Sequence, residues 1–379
     1  MPSPAKRNAN ISQGFEAFFK GAPEGCIRLT VGEPDFPTPK EVVEAAKADL
    51  DAGDTHYVAT AGKQVLLEAI QEKLKRENGL HYALDEITVT VGAKEALVDA
   101  SLALLDPGDE VLCPAPYWPS YDAIAAFAGA RVVPVPTDPA AMHLDEEALK
   151  HAVTKNSKAI LVNSPNNPTG AVYDKAELKA LADLAVDKDL YIVSDEIYEH
   201  LIYGGRTHHA LAAFPGAFER TITINGFSKA FAMTGWRLGY TASPKALAVP
   251  LRRVHMHAVT HPAAFEHRAA SVALTKCMAS VRAMAEEYDR RRRFLHAAMN
   301  RVKGWRCPEP EGAFYAFPDI RGTGLTSQGV YDKLLAAGVQ VIPGHLFPMG
   351  EGFLRISYAT SMDNLKTAAE RMETAFGHA

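Results

Sequence analysis

The residues with the most chemical potential lie just after short apolar runs. Ile87–Val91 leads into Gly92-Ala93-Lys94, and Ala159–Val162 into Asn163-Ser164-Pro165-Asn166-Asn167-Pro168-Thr169-Gly170. Tyr191–Val193 leads into Ser194-Asp195-Glu196-Ile197-Tyr198, and Thr221–Ile224 into Asn225-Gly226-Phe227-Ser228-Lys229. In doubly wound sheets, ligands bind beyond the carboxyl ends of strands, so these segments come first. Gly92-Ala93-Lys94 opens a helical stretch, where free N–H groups and the positive dipole end attract an anion such as phosphate; a plain tight turn is the alternative. Asp195 is either a buried carboxylate that needs a cation or the N-cap of the following segment, and Tyr198 could share one side of a helical turn with it. Lys229 sits in a Ser/Gly-rich turn with Arg237 eight residues later. Desolvation or a neighbouring cation would lower its pKa towards a Schiff-base nucleophile; otherwise it is an ordinary surface lysine.

These segments need a scaffold. Further strand candidates are Glu110–Cys113, Arg131–Val135 and Leu238–Thr241, and several of the seven runs are apolar without alternation, as strands covered on both faces should be. Helix candidates lie between them, including Ala93–Leu105 and Lys175–Val186, the latter preceded by Asp174 with Glu177 three residues on, as in a capping box. The pattern predicts an α/β fold with a mostly parallel seven-stranded sheet flanked by helices. The last hundred or so residues predict a smaller α+β domain: a long helix from Ala269 to Val302, strands at Ala313–Phe317 and Phe353–Ser357, and a final helix from Asp363 to Phe376. No flexible linker separates the parts, so they are expected to pack together on a continuous helix.

The chain has 379 residues, 47% hydrophobic, with 40 basic against 45 acidic side chains and a net charge of −5. That composition fits an enzyme-sized globular protein of about two domains and offers no global attraction to nucleic acid or anionic lipid. The run Arg290-Arg291-Arg292-Arg293 follows Glu286 and Glu287 and reads as a solvated or intersubunit face. Cys26, Cys113, Cys277 and Cys307 are too scattered for a disulfide framework or zinc site, which suits a reducing compartment. Met1–Asn10 has no apolar signal core, and no run approaches the roughly 18 apolar residues of a membrane span, so a cytoplasmic location is expected. His255, His257 and His261 are spaced by two and four residues; His257 and His261 could share a helical face, but without further ligands no metal is expected. They read as lining the pocket mouth or a subunit interface, with Thr260 a candidate for a phosphate contact across it.

Together the segments resemble the class I and II aminotransferases, pyridoxal-phosphate enzymes of fold type I in the aspartate aminotransferase superfamily. The resemblance runs in family order from Val31-Gly32-Glu33-Pro34-Asp35-Phe36 to Arg355-Ile356-Ser357. It is strongest in Asn166-Asn167-Pro168-Thr169-Gly170, Ser194-Asp195-Glu196-Ile197-Tyr198 and the twelve residues from Ser228-Lys229-Ala230-Phe231 through Gly235-Trp236-Arg237-Leu238-Gly239.

The resemblance implies that Lys229 holds pyridoxal 5′-phosphate as a Schiff base and then shuttles the substrate Cα proton. Asp195 would pair with the pyridine nitrogen, while Asn167 and Tyr198 bond the phenolic oxygen. Trp118, in Pro116-Tyr117-Trp118, would stack on the ring, a core or interface aromatic being the alternative. Gly92, Ala93, Lys94, Ser228 and Arg237 would surround the phosphate. The family commonly has a serine at the place of Gly226, so one phosphate contact is expected to be missing, with the Lys94 side chain able to compensate. Arg355 would bind the substrate α-carboxylate, with a generic salt bridge as the alternative, and Gly32, Trp118 and Asn167 would line the substrate. Tyr57 would cross to a neighbouring subunit's phosphate, making the working unit a homodimer with shared sites.

The implied domains are an arm with part of the small domain over 1–45, a cofactor-binding domain over 46–275 and a small domain over 276–379. The implied reaction moves the amino group of an L-amino acid (aspartate, aromatic or alanine) to a 2-oxo acid such as 2-oxoglutarate, in ping-pong fashion. A β-lyase, decarboxylase or synthase on the same fold is the competing reading. One branch of the family binds a second carboxylate through an arginine in the segment matching His255–His261; none stands there, which counts against that branch's aspartate pocket.

Overall fold

A computed structural model describes residues 23–378; Met1–Asn10, and with it the beginning of the expected 1–45 arm, lies outside the described residues. In chain order the elements are β1 (Ile27–Arg28), α1 (Lys40–Asp51), α2 (Gln64–Lys73), β2 (Ile87–Thr90), α3 (Gly92–Leu104), β3 (Glu110–Ala115), α4 (Ser120–Phe127), β4 (Arg131–Pro136), α5 (Glu146–Ala152), β5 (Ser157–Asn163) and α6 (Lys175–Asp187). There follow β6 (Tyr191–Asp195), β7 (Thr221–Gly226), β8 (Gly239–Ala242), α7 (Lys245–Ala258), α8 (Glu266–Lys276), α9 (Met278–Met299), β9 (Tyr315–Ala316), α10 (Ser327–Ala336), β10 (Val339–Gln340), β11 (Ile342–Pro343), β12 (Leu354–Ser357) and α11 (Met362–Phe376).

All seven runs read as strands pair into one sheet of order β2-β8-β7-β6-β5-β3-β4. Only β8 is reversed, lying antiparallel to both β2 and β7. The missing hydrophobic alternation has its reason in β5. Ala159 and Leu161 pack with Ala96, Leu97 and Ala100 of α3 and Leu247 and Leu251 of α7, whereas Ile160 and Val162 face Leu178, Leu181 and Ala185 of α6. The start of α6 is the expected capping box: the Asp174 carboxylate accepts from the Ala176 and Glu177 N–H groups, and Glu177 accepts from the Asp174 N–H at 2.6 Å.

A second core joins the two ends of the chain. β1 pairs in parallel with β10, and Leu29 is buried with Tyr288, Leu295, Phe314, Ile356 and Leu365. Beside it, β12 lies between β11 and β9 in a small antiparallel sheet.

Two expectations are corrected. The helix expected to run continuously from Ala269 to Val302 is two helices, α8 and α9, interrupted at Cys277 (φ −105°, ψ 11°). The interruption lets α8 bury Ala269, Ala270 and Ala273 against α1 and α2 while α9 commits Tyr288 and Leu295 to the second core. The arginine run is not simply a solvated face. Arg290 and Arg293 are exposed, but Arg291 and Arg292 are buried and paired, Arg291 with Asp35 and Glu287 and Arg292 with Asp289 and Glu309. Among the described residues no helix is long and apolar enough to cross a membrane.

Candidate active site

The carboxyl ends of β5, β6 and β7, the start of α3, the loop after β1 and strands β9 and β12 meet around one cavity of about 610 Å³. Gly32, Ala93, Lys94, Trp118, Asn167, Asp195, Tyr198, Ser228, Lys229, Arg237 and Arg355 all line it. Gly92 lies immediately behind, under Arg237. The parallel sheet accounts for the first half of this gathering, because neighbouring parallel strands end on the same side.

Asp195 is the last residue of β6 and is buried. Its carboxylate accepts from the Tyr121 hydroxyl at 2.7 Å and from the Ile197 N–H at 3.3 Å, so it also caps the turn that follows. Residues 197–200 form a hydrogen-bonded turn, and Tyr198 lines the same cavity as Asp195, buried with its hydroxyl 3.0 Å from that of Tyr315. Burial pushes the Asp195 pKa up to about 6, against the pull of Tyr121, the Ile197 N–H and Lys229.

Lys229 is half-buried and donates to the Gly32 carbonyl at 2.5 Å, across 197 residues of sequence. Burial lowers its pKa to about 8; Glu33 opposes the shift, and the Arg237 and Arg355 guanidinium groups add to it. A fraction of the amine is therefore neutral near pH 7, as a nucleophile or proton acceptor requires.

The start of α3 is built for close approach. A Cβ at Gly92 would lie 2.6 Å from Arg237 Nη2, and one at Gly239 would lie 2.6 Å from the Ala93 nitrogen. Only glycine lets the guanidinium and strand β8 come this near the orphan N–H groups of a helix N-terminus. Arg237 itself holds a left-handed backbone (φ 56°) and donates to the Thr234 carbonyl at 2.8 Å. At Gly226 a Cβ would meet the Leu238 carbonyl at 2.8 Å, so the β7–β8 pairing leaves no room for a serine there as the backbone stands. The Lys94 ammonium lies 4.8 Å from the centre of the Trp118 ring, and Trp118 packs edge-on to Tyr121.

Arg355, on β12, is buried. It donates to Asn167 Oδ1 at 3.1 Å and to the Thr30 carbonyl at 2.7 Å, with its guanidinium 4.7 Å from the Tyr315 ring centre. It is thus a fixed cation in the cavity wall, held by groups up to 325 residues away.

Some expected residues lie elsewhere. Tyr57 is 90% exposed, packed edge-on to His261 beside a separate hollow, and does not line this cavity. The histidines do not act together. His255 is fully buried against Glu95 and Asp99, His257 is exposed, and His261 lies beyond the end of α7, accepting from the Val58 N–H, so the shared helical face is absent. Sequence reasoning missed Tyr121, Tyr315, Glu33 and Thr234, all in the cavity wall. Tyr121 sat three residues beyond Trp118 and Glu33 inside a motif already singled out, but nothing local marks Tyr315.

A family model, "Aminotransferase class I and II", matches residues 24–372. The chain is 45% identical over 378 residues to an aspartate aminotransferase of Pyrococcus abyssi, covering 98% of this chain and 95% of that one. It is 41% identical, over the same fractions, to aromatic-amino-acid aminotransferase 2 of Thermococcus litoralis. The solved aspartate aminotransferase of Thermus thermophilus with maleate superposes with a TM-score of 0.94 at 43% identity, covering 99% of this chain and 100% of that one.

Proposed function

The chain belongs to the class I and II aminotransferases and is an aminotransferase; from that premise we propose that it moves the amino group of aspartate or an aromatic L-amino acid to a 2-oxo acid such as 2-oxoglutarate. The carrying observation is that Lys229, Asp195, Arg355 and the start of α3 converge on one cavity. Aspartate and aromatic donors are the substrates in the names of the relatives, and the cavity wall offers both cations (Lys94, Arg355) and aromatic faces (Trp118, Tyr315).

The cofactor in this reading is pyridoxal 5′-phosphate, and the cavity's groups suit its parts. Gly92 and Gly239 keep open a cradle, flanked by α3 N–H groups and Arg237, that any Cβ would narrow, which suits a phosphate. The Gly92-Ala93-Lys94 turn, Ser228 and Arg237 would hold that phosphate; Asp195 would hold the ring nitrogen, Asn167 and Tyr198 the phenolic oxygen, Trp118 the ring face, and Lys229 the aldehyde carbon. When bound, the cofactor supplies an electron sink for negative charge at the substrate's Cα.

The protein's own groups do the rest. Arg355, already oriented by Asn167 and Thr30, takes the substrate α-carboxylate as a planar donor. Lys229, its pKa held down by burial, accepts the Cα proton and returns it to the other side of the transfer. Asp195, buried beneath the cavity, favours a positively charged partner, because its burial as a lone anion is costly. The same reading makes the enzyme a cytoplasmic homodimer, the exposed Tyr57 supporting the dimer and the unpaired cysteines the compartment.

The test is to load the purified protein with the cofactor, add amino acids singly and follow loss of the bound aldehyde's absorbance. Aspartate or an aromatic amino acid should discharge it without release of ammonia or CO₂, and Lys229→Ala should abolish both that change and reduction of the cofactor onto the protein by borohydride. Release of ammonia or CO₂, or full turnover by Lys229→Ala, overturns the reading.

A further inference from the structure

Behind the start of α3 lies a buried charged group that the reaction does not use. Glu95 is in the first turn of α3, and its Oε2 accepts from the Val91 N–H, the residue that leads into the Gly92-Ala93-Lys94 turn. Its Oε1 lies 2.7 Å from Nδ1 of His255, which reaches across from α7; Asp99, one turn further along α3, lies 3.4 Å from the same nitrogen. His255 and Asp99 are essentially inaccessible to solvent.

We propose that His255 is a positioning residue for the anion site at the start of α3, holding the Glu95 carboxylate against the Val91 N–H and offsetting the negative charge that Glu95 and Asp99 place behind a bound phosphate. This rests on the reading that the start of α3 holds the cofactor's phosphate. Two carboxylates within the first two turns favour the helix dipole but repel an anion bound at the same end. An imidazolium between them removes the repulsion and leaves the capping bond intact. Burial by itself would lower the His255 pKa, but its hydrogen bonds to Asp99 and Glu95 push it up to about 9, so it is charged at neutral pH. A neutral residue at position 255 would remove one of Glu95's two partners and leave both carboxylates uncompensated, Asp99 in a site closed to solvent.

The effect should be confined to the phosphate, which gives the experiment its contrast. Affinities of the cofactor-free protein for pyridoxal 5′-phosphate and for pyridoxal, which lacks the phosphate, are measured by quenching of tryptophan fluorescence. His255→Gln should weaken pyridoxal 5′-phosphate about tenfold while pyridoxal changes by less than about twofold. Adding Glu95→Gln, which keeps an acceptor for the Val91 N–H but no charge, should restore the phosphate form to within about threefold of the parent. If His255→Gln fails to fold, Glu95→Gln alone still decides, because it should bind the phosphate form at least as tightly as the parent. Equal losses for both ligands, no loss for either, or a weaker Glu95→Gln overturn the inference and leave the functional reading standing. A parent protein that binds neither ligand overturns both.

Discussion

At the scale of single residues, the candidate site holds two groups whose ionisation is set by burial and which sit on opposite sides of neutrality. Lys229 is brought down to about 8 and Asp195 up to about 6. For Asp195 the sign is unusual for a carboxylate. The folded protein binds this proton more tightly than the unfolded chain does, so between about pH 4 and 6 it holds more protons and loses stability as the pH rises. In cofactor-free protein the loss should amount to at most about 3 kcal/mol across that window, and Asp195→Asn should remove this part of the slope. Urea unfolding at a series of pH values measures it; an identical slope in the variant would show that Asp195 is not the group responsible. Both residues were legible as candidates because each follows an apolar strand. Their partners were not: Tyr121 reaches Asp195 from 74 residues away, and Gly32 reaches Lys229 from 197.

At the scale of elements, helix α3 and strand β8 border the proposed anion cradle, touching where two glycines allow it. Gly92 has φ 75° and carries Arg237 directly over it. Gly92→Ala should therefore cost about 1 kcal/mol of stability from the left-handed backbone alone. The new methyl group would also drive the flexible end of Arg237 off the helix start, so cofactor affinity should fall by about tenfold or more, a charge-assisted contact being worth about 1.5 to 3 kcal/mol. Chemical denaturation and cofactor titration of the same variant separate the two effects; unchanged affinity with lowered stability would mean that Arg237 takes no part in holding the phosphate. The seven strands and the α6 capping box were readable because hydrophobic runs and caps are local signals. The interruption at Cys277 was not, since neither glycine nor proline marks it and its cause is the pair of cores that α8 and α9 serve.

At the scale of the whole molecule, Tyr57 stands 90% exposed and outside its own chain's cavity, which is how a residue destined for a neighbouring subunit would look. Mixing Lys229→Ala protein with Tyr57→Ala protein should then regenerate sites with parent-like cofactor affinity, because in a hybrid dimer one site receives an intact Lys229 from one chain and an intact Tyr57 from the other. Subunit exchange followed by cofactor titration checks this, and no recovery in proven hybrids would place the action of Tyr57 within its own chain. The sequence by itself determined the sheet, the chemical groups at its strand ends and the family, because each is written in short-range pattern. Tertiary structure alone decided that Arg291 and Arg292 are buried ion-pair partners, that His255 sits between two carboxylates, and that Arg355 is held by Thr30 and Asn167. The physical reason is that a charge's meaning depends on what is packed around it. Burial and pairing between positions hundreds of residues apart are set by strand register and by how the layers meet, and no local period in the chain encodes them.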